Sequence, residues 1–577
     1  MLKIRRLYSE PKIFEPIIFE DGFNLIVGET AEDNEKTNGV GKSLAIEFLN
    51  YGLLKRHSDS RVSLIPDKKL PDDITVCLDF EVNDNKITSR RSVRNHECPT
   101  LIINGKSRTY STLSDANDHL TALLFGDLNQ INAPSFRAMM GPLIRDEGSE
   151  FKSIINCYDT NKRIPPNYAP HLYLLHIDPL PYSEARTLYK EISDIGTVRS
   201  KMKENIETIT GKDVSESKAD LNELERQVRK IQSDIDSLEN IEGFDTVKSE
   251  IINIETQLEQ RRGEQAVLKT ELSRIEIFRG DNYIDEDEVA ELYNQFKEGL
   301  GDIIKREIEE VTVFKKKIDD FQRTIIEGRR ATLDKEISGL DQIISELNRK
   351  YKEKISLLDQ EGLLISLKQT IAVHQRKVEE LSVLSTFIKK HTDYDQDHKA
   401  KKRERENKIY LLESYKNDAK TEIDSFQRTI LDIHEYVYGN RKGSFDIEIT
   451  KAAEIVKFEL RADSDGSHSI NREIVFLYDL SLLLNSDTSK LHPKLLVHDN
   501  IFDVDQSTLI NSLNYIDDIK DQLIDKQYIL TINSDKLSNQ DKENLNFNIK
   551  DYECAFFTKS KRFLTFDYQE TSKIKKK

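Results

Sequence analysis

The sequence predicts an α/β head written in two halves, separated by a long antiparallel coiled-coil hairpin. Three observations predict it. Short alternating apolar runs bounded by turn residues fill the N-terminal part, and similar runs return near the C-terminus. Between them, from about Ser183 to Val437, the chain has no proline and carries apolar residues at alternating three- and four-residue steps among charged ones.

In the N-terminal part, Leu2–Leu7, Phe23–Val27, Ile74–Val82 and Lys86–Val93 read as strands interleaved with helical patterns. The first arm of the hairpin begins with Leu221, Leu224, Val228, Ile231, Ile235 and Leu238 at core heptad positions. After Gly243 the pattern resumes with Val247, Ile251, Ile254, Leu258, Leu268, Leu272 and Ile275. Phe314, Ile318, Phe321 and Ile325, then Ile337, Leu340, Ile344, Leu347 and Tyr351, mark the return arm. Turn chemistry from Gly280 to Gly301 places the tip there, and a second break at Asp359–Gly362 is either a kink or the tip itself. A straight first arm of ~95 residues would reach on the order of 140 Å. Strands are expected again at Ser444–Thr450, Val456–Arg461, Leu495–Val497, Tyr528–Ile532 and Phe563–Tyr568, with a helix at Asn471–Leu484. The expected divisions are residues 1–182 and 438–577 for the two head halves and 183–437 for the arm.

Composition agrees with a solvated rod joined to a globular part. Of 577 residues 33% are charged, 37% are hydrophobic, and the net charge is -17, against roughly 25% charged in an ordinary globular chain. Four scattered cysteines without a CxxC exclude a disulfide scaffold, a zinc ribbon and a thiol redox motif. The charged N-terminus lacks a signal-peptide core and no ~20-residue apolar span occurs, so a cytoplasmic protein without membrane contact is expected. The acidic balance argues against a DNA-coating protein, although Lys401, Lys402, Arg403 and Arg405, or the Lys573–Lys577 tail, offer local positive charge.

The chemistry-bearing residues follow the strand ending at Val27. Gly28 opens a loop that ends in Asn38-Gly39-Val40-Gly41-Lys42-Ser43 and runs into a helix from Leu44. This is the phosphate-binding pattern GxxxxGK[ST] with an insertion after its first glycine. Gly39 and Gly41 let backbone N–H groups approach phosphate, Lys42 reaches the terminal phosphates, and Ser43 holds Mg²⁺. The pattern requires an acidic residue at a neighbouring strand tip, and Leu495-Leu496-Val497-His498-Asp499 supplies Asp499. Asn500 follows where many ATPases carry a glutamate, leaving Asp503, Asp505 or His498 as substitutes. Gly466, Ser467 and Ser469 precede a helix whose N-terminus suits the γ-phosphate of a nucleotide held by another copy, or is an ordinary Ser-capped start. Asn533, at the end of the strand Tyr528–Ile532, is either a phosphate sensor or a turn residue. No nuclease constellation is present.

This order of motifs resembles the SMC and RecN class of ABC-type ATPases. More narrowly, TNGVGKS, the segment from Ser135-Phe136-Arg137 to Gly141-Pro142-Leu143-Ile144-Arg145, the Val311–Arg329 stretch and LLVHDNIFD resemble a bacterial SMC-like subfamily. That subfamily carries a C-terminal domain of unknown function and occurs in antiphage defence operons, as in Lamassu-type systems. The resemblance implies a P-loop ABC-type ATPase head and a homodimer that sandwiches two ATP and Mg²⁺ between Lys42, Ser43 and Asp499 of one copy and Gly466–Ser469 of the other. Duplex DNA or DNA ends and a separate effector subunit are the implied partners. Here the signature is not LSGGQ, Gln130 or Arg145 takes the place of the usual Q-loop glutamine, and no zinc hook exists. Slow ATP hydrolysis is expected; the alternatives are a non-hydrolysing scaffold and a RecN-like repair ATPase.

Overall fold

The computed structural model describes residues 1–29, 40–126, 132–160, 164–238, 245–277, 301–356, 364–462, 468–502 and 504–566. The chain begins with strands β1 (Leu2–Glu10), β2 (Ile17–Ile18) and β3 (Gly22–Gly28), then helix α1 (Lys42–Gly52). Strands β4 (Thr75–Val82), β5 (Asn85–Ser92), β6 (Thr100–Ile103) and β7 (Lys106–Thr109) precede α2 (Leu113–Phe125), α3 (Phe136–Leu143), β8 (Ile144–Arg145) and α4 (Ala169–Leu174). The long helices are α5 (Leu180–Thr210), α6 (Val214–Leu238), α7 (Asp245–Ile277), α8 (Gly301–Ser356) and α9 (Leu364–Asp418). Then come α10 (Lys420–Tyr438), β9 (Gly443–Ile449), β10 (Val456–Ala462), α11 (His468–Leu484), β11 (Leu495–Asp499), α12 (Gln506–Asp518), β12 (Gln527–Asn533) and β13 (Glu553–Phe557). None of the described helices is long and apolar enough to cross a membrane.

Two compact units result, one formed by residues 1–190 with 402–577 and the other by 191–401. The second boundary lies well before the expected 437/438. The reason is α10, whose Phe426, Ile430, Ile433 and Val437 are buried in the core of the first unit. Arg405, read as a candidate phosphate contact, is also taken up by that unit. It donates to the carbonyls of Ala185, Lys451 and Ala452 and lies over the Tyr189 ring.

Within the first unit, β13-β3-β12-β11-β8 form a parallel sheet and β2-β1-β4-β5-β6-β7 an antiparallel one. The runs Leu495–Asp499 and Tyr528–Ile532 are buried throughout, as central parallel strands covered on both faces require. The strand expected from Phe563 is absent over residues 563–566, and β13 takes the sheet edge instead. Phe563 stacks on Phe14 at 4.4 Å and meets Phe48 edge-on at 5.4 Å, so its apolar character serves a side-chain cluster rather than a ladder.

The second unit is a coiled coil that reverses on itself. In α7 and α8 the partners run in opposite order: Glu255 with Tyr351, Gln265 with Asp341, Glu271 with Arg329. Leu258, Ile344 and Leu347 form the apolar seam between them. Ile231 and Ile235 of α6 share one cluster with Ile251 and Ile254 of α7. A straight helix would hold Ile235 and Ile254 about 28 Å apart, so the chain turns back between α6 and α7. As a result α7 lies along α9, with Arg262 3.9 Å from Glu379 and Ser382 donating to the Glu259 carbonyl at 2.9 Å. A side chain on Gly263 would meet the Ser382 hydroxyl at 2.8 Å. The straight 140 Å reach is therefore corrected; the expected tip near 280–301 and the break at 359–362 fall outside the described residues.

Candidate functional site

Parallel pairing brings distant residues to one end of the sheet. β3 and β12 pair with Gly28 opposite Asn533, and β12 and β11 pair with Thr531 opposite Asp499. Asn38 and Gly39 lie outside the described residues. The chain resumes at Val40 and Gly41, and α1 starts at Lys42. Gly41 has φ 107°, a left-handed conformation that suits glycine. A Cβ there would also lie 2.4 Å from the Phe563 Cβ, while the Phe563 N–H donates to the Val40 carbonyl at 3.0 Å. The chain after β13 thus fixes the entry into α1.

Lys42 is 7% exposed and lies across the backbone at Gly28, where a Cβ would meet its Nζ at 2.6 Å. Its ammonium donates to Asn533 Oδ1, 491 residues away in sequence. Burial lowers the Lys42 pKa, against the pull of Asp499 and Glu147. Ser43 Oγ stands 3.1 Å from Asp499 Oδ1. Thr531 Oγ1 donates to that same carboxylate oxygen at 2.8 Å, and Asp499 Oδ2 is buried without a hydrogen-bond partner. Burial pushes the Asp499 carboxyl up to about 6, with the Thr531 hydroxyl opposing and Glu147 adding to the rise. The Leu44 side chain packs into the core. Lys42, Ser43, Asp499 and Asn533 therefore lie together at this end of the sheet.

Other candidates lie elsewhere. Successive strand residues face opposite sides of a sheet, so His498 points away from Asp499. It is fully buried between the Tyr528 hydroxyl at 3.0 Å and Asp479 Oδ2 at 3.1 Å, and burial lowers its pKa. It is not placed to substitute for a glutamate at Asn500. Arg145 is likewise committed to the core, with Nε and NH2 on Asp479 at 2.6 and 2.7 Å and further donation to the carbonyls of Ser153 and Ile154. Asn500 sits at φ 59°, a left-handed position that asparagine tolerates. Its backbone is held at both ends, by the Thr531 hydroxyl at 2.9 Å and by Arg472 at 2.7 Å. Asp505 caps α12 through the Thr508 N–H at 3.0 Å. Ser469 lies in the first turn of α11; Gly466, Ser467, Asp503 and Gln130 lie outside the described residues.

The sequence reading missed Glu147. Directly after β8, its Oε2 stands 3.4 Å from Ser43 Oγ. The signal was available in Ile144-Arg145-Asp146-Glu147: strand β8 pairs with β11 at Arg145–His498, so the residues after it reach the same rim as Asp499.

Residues 433–568 match the family described as an uncharacterised protein conserved in bacteria (DUF2326). This agrees with the expected C-terminal domain of unknown function. Over 582 aligned residues the chain is 21% identical to the uncharacterized protein YydD of Bacillus subtilis (strain 168), covering 91% of each. Among solved structures it is similar to an Smc head domain with coiled coil and joint from Pyrococcus yayanosii, at 14% identity, 95% and 94% coverage and a TM-score of 0.34. A second is an Smc head domain with an extended coiled coil bound to the C-terminal domain of ScpA, from Pyrococcus furiosus, at 13% identity, 95% and 92% coverage and a TM-score of 0.32.

Proposed function

We propose that the chain is an SMC-like ATPase whose head takes ATP with Mg²⁺, pairs with a second copy through nucleotide-bound heads, senses or holds DNA and controls a separate effector in bacterial antiphage defence. One observation carries the nucleotide part: Lys42 and Ser43 at the start of α1 meet Asn533 and Asp499 from strands more than 450 residues downstream. The unpartnered, fully buried Asp499 Oδ2 fits a cation, because a buried acceptor without a donor is costly. Ser43 and Asp499 would hold Mg²⁺, which supplies charge neutralisation to the phosphates. Lys42 offers a buried positive charge that can leave Asn533 for an anion, and the first turn of α1 offers unpaired N–H groups.

Dimerisation, DNA and the effector draw support from the motif order and the resemblance it carries. Mg²⁺-dependent binding of a fluorescent ATP analogue, lost in Lys42→Ala and weakened in Asp499→Asn, tests the core of the proposal. ATP turnover with and without linear or circular duplex DNA tests the rest. A second reading, a nucleotide-locked scaffold without turnover, is favoured by Asn500: its carboxamide cannot accept a proton from water as a carboxylate does. Binding without turnover under every DNA condition would select it.

A further inference from the structure

The carboxylates along the rim of α1 fall into two groups. Lys55 Nζ lies 2.6 Å from Glu47 and 2.9 Å from Asp146, and Glu47 also accepts from the Ser60 hydroxyl and the Arg61 N–H, both at 2.9 Å. These two are neutralised by the protein itself. Asp499 and Glu147 have no such direct partner: among the described residues neither makes an ion pair with a Lys or Arg, and Lys42, which both attract, is hydrogen-bonded to Asn533 instead.

Ser43 stands between them, 3.1 Å from Asp499 and 3.4 Å from Glu147. A serine hydroxyl carries one proton and satisfies one carboxylate at a time. The second carboxylate, and the buried Asp499 Oδ2 that meets no donor at all, are left facing one another's charge. Ser43, Asp146, Glu147 and Asp499 line one cavity of about 1280 Å³, so there is room for an ion and its water shell. No three His, Cys, Asp or Glu side chains gather as a closed metal cage among the described residues. Two carboxylates and a hydroxyl with waters completing the shell is, however, how Mg²⁺ or Mn²⁺ is commonly held.

We propose that Glu147 is a second anionic ligand of the divalent cation, so that the site loads Mg²⁺ or Mn²⁺ before any nucleotide arrives. The inference rests on the nucleotide-site reading above and adds to it a residue and an order of events. A site with Asp499 as its one carboxylate would depend on phosphate oxygens to retain the ion; with Glu147 the protein alone supplies two negative charges. Nucleotide then meets a cation already in place.

The test is titration of the full chain with Mn²⁺ in the absence of nucleotide, followed by loss of the free-ion signal in electron paramagnetic resonance. One ion per chain is expected for the wild type. Glu147→Gln should weaken it at least tenfold and Glu147→Asp less, while both variants keep the far-ultraviolet circular dichroism and thermal midpoint of the wild type. Glu147 is exposed at the surface, so its substitution leaves the fold intact. Wild type that binds the ATP analogue but takes up no Mn²⁺ alone would overturn the inference and leave the proposed function standing. Equal Mn²⁺ affinity in wild type and Glu147→Gln would do the same. Absence of ATP-analogue binding in the wild type would overturn both.

Discussion

Replacing Asp479 by asparagine tests how the core supports the rim. Asp479 and Arg145 are both fully buried, joined by two hydrogen bonds of 2.6 and 2.7 Å, and His498 adds a third contact at 3.1 Å. Asparagine keeps the shape and removes the charge, leaving a guanidinium in the core with two carbonyls and no anion. Breaking a buried pair in this way costs about 3–5 kcal/mol. At about 1.4 kcal/mol per factor of ten, opening of the surrounding structure becomes roughly a hundred to several thousand times more frequent. Amide hydrogen exchange of a peptide spanning β11 reads that opening directly. The double variant Asp479→Leu with Arg145→Met removes both charges and should recover most of the protection, since an apolar pair of similar volume is often neutral or stabilising. A less than fivefold change in Asp479→Asn, or a double variant worse than the single, would refute the reasoning.

Three further outcomes are expected. Gly41→Ala, at φ 107° and against Phe563, should abolish ATP-analogue binding while the far-ultraviolet circular dichroism of the long helices is kept. Gly263→Cys with Ser382→Cys should form a disulfide on mild oxidation, seen as a mobility shift, because α7 lies against α9 at that level; a straight arm would give none. His171 and His492 are buried neutral, both pushed down to about 3 chiefly by burial, with Arg145 adding to the fall at His171, Lys526, Lys494 and the N-terminus at His492, and Asp479 opposing in each. Their folded pKa lies below the unfolded one, so the stability they contribute is complete above pH 6.5 and is lost as pH falls toward 3. Between pH 7 and 5.5 each should cost about 1 kcal/mol, and urea midpoints of His171→Gln and His492→Gln should lose less than wild type over that range.

How much of this could be read from the chain depended on whether the signal was local. Strands β1, β3, β4, β11 and β12 announce themselves by alternation or by buried runs, and Lys42 and Ser43 by their spacing. The heptads of α7 and α8, together with the turn residues between them, pointed to the antiparallel pairing. The reversal at α6 and α7 was hidden, because a heptad says which face is apolar and not whether a second layer of helix covers it. Gly263 was the available clue, a residue whose missing side chain admits a neighbour. β13 was misplaced onto Phe563–Tyr568 because both segments are aromatic, and only the register against β3 separates a ladder from a cluster. Glu147 was missed for a related reason: the local run Ile144-Arg145-Asp146-Glu147 gains its meaning from the pairing of β8 with β11, a contact between residues far apart in sequence.

The alternation of β11 has a consequence for how the site would communicate. One side of the strand presents Asp499 to Ser43 and Thr531; the next residue back, His498, presents its ring to Asp479 on α11 and to Tyr528 on β12. Asp479 in turn holds Arg145, the last residue of β8, immediately before Asp146 and Glu147. The two carboxylates at the rim are therefore tied through the sheet to a single buried ion pair and to α11. If the proposed cation drew Glu147 and Asp499 together, β8 and β11 would both be displaced, and the buried Arg145–Asp479–His498 contacts are the route by which α11 would respond. In Asp479→Asn this connection is cut while Ser43, Asp499 and Glu147 are untouched. Mn²⁺ affinity should then change by less than threefold, whereas protection of the α11 amides should no longer respond to the ion.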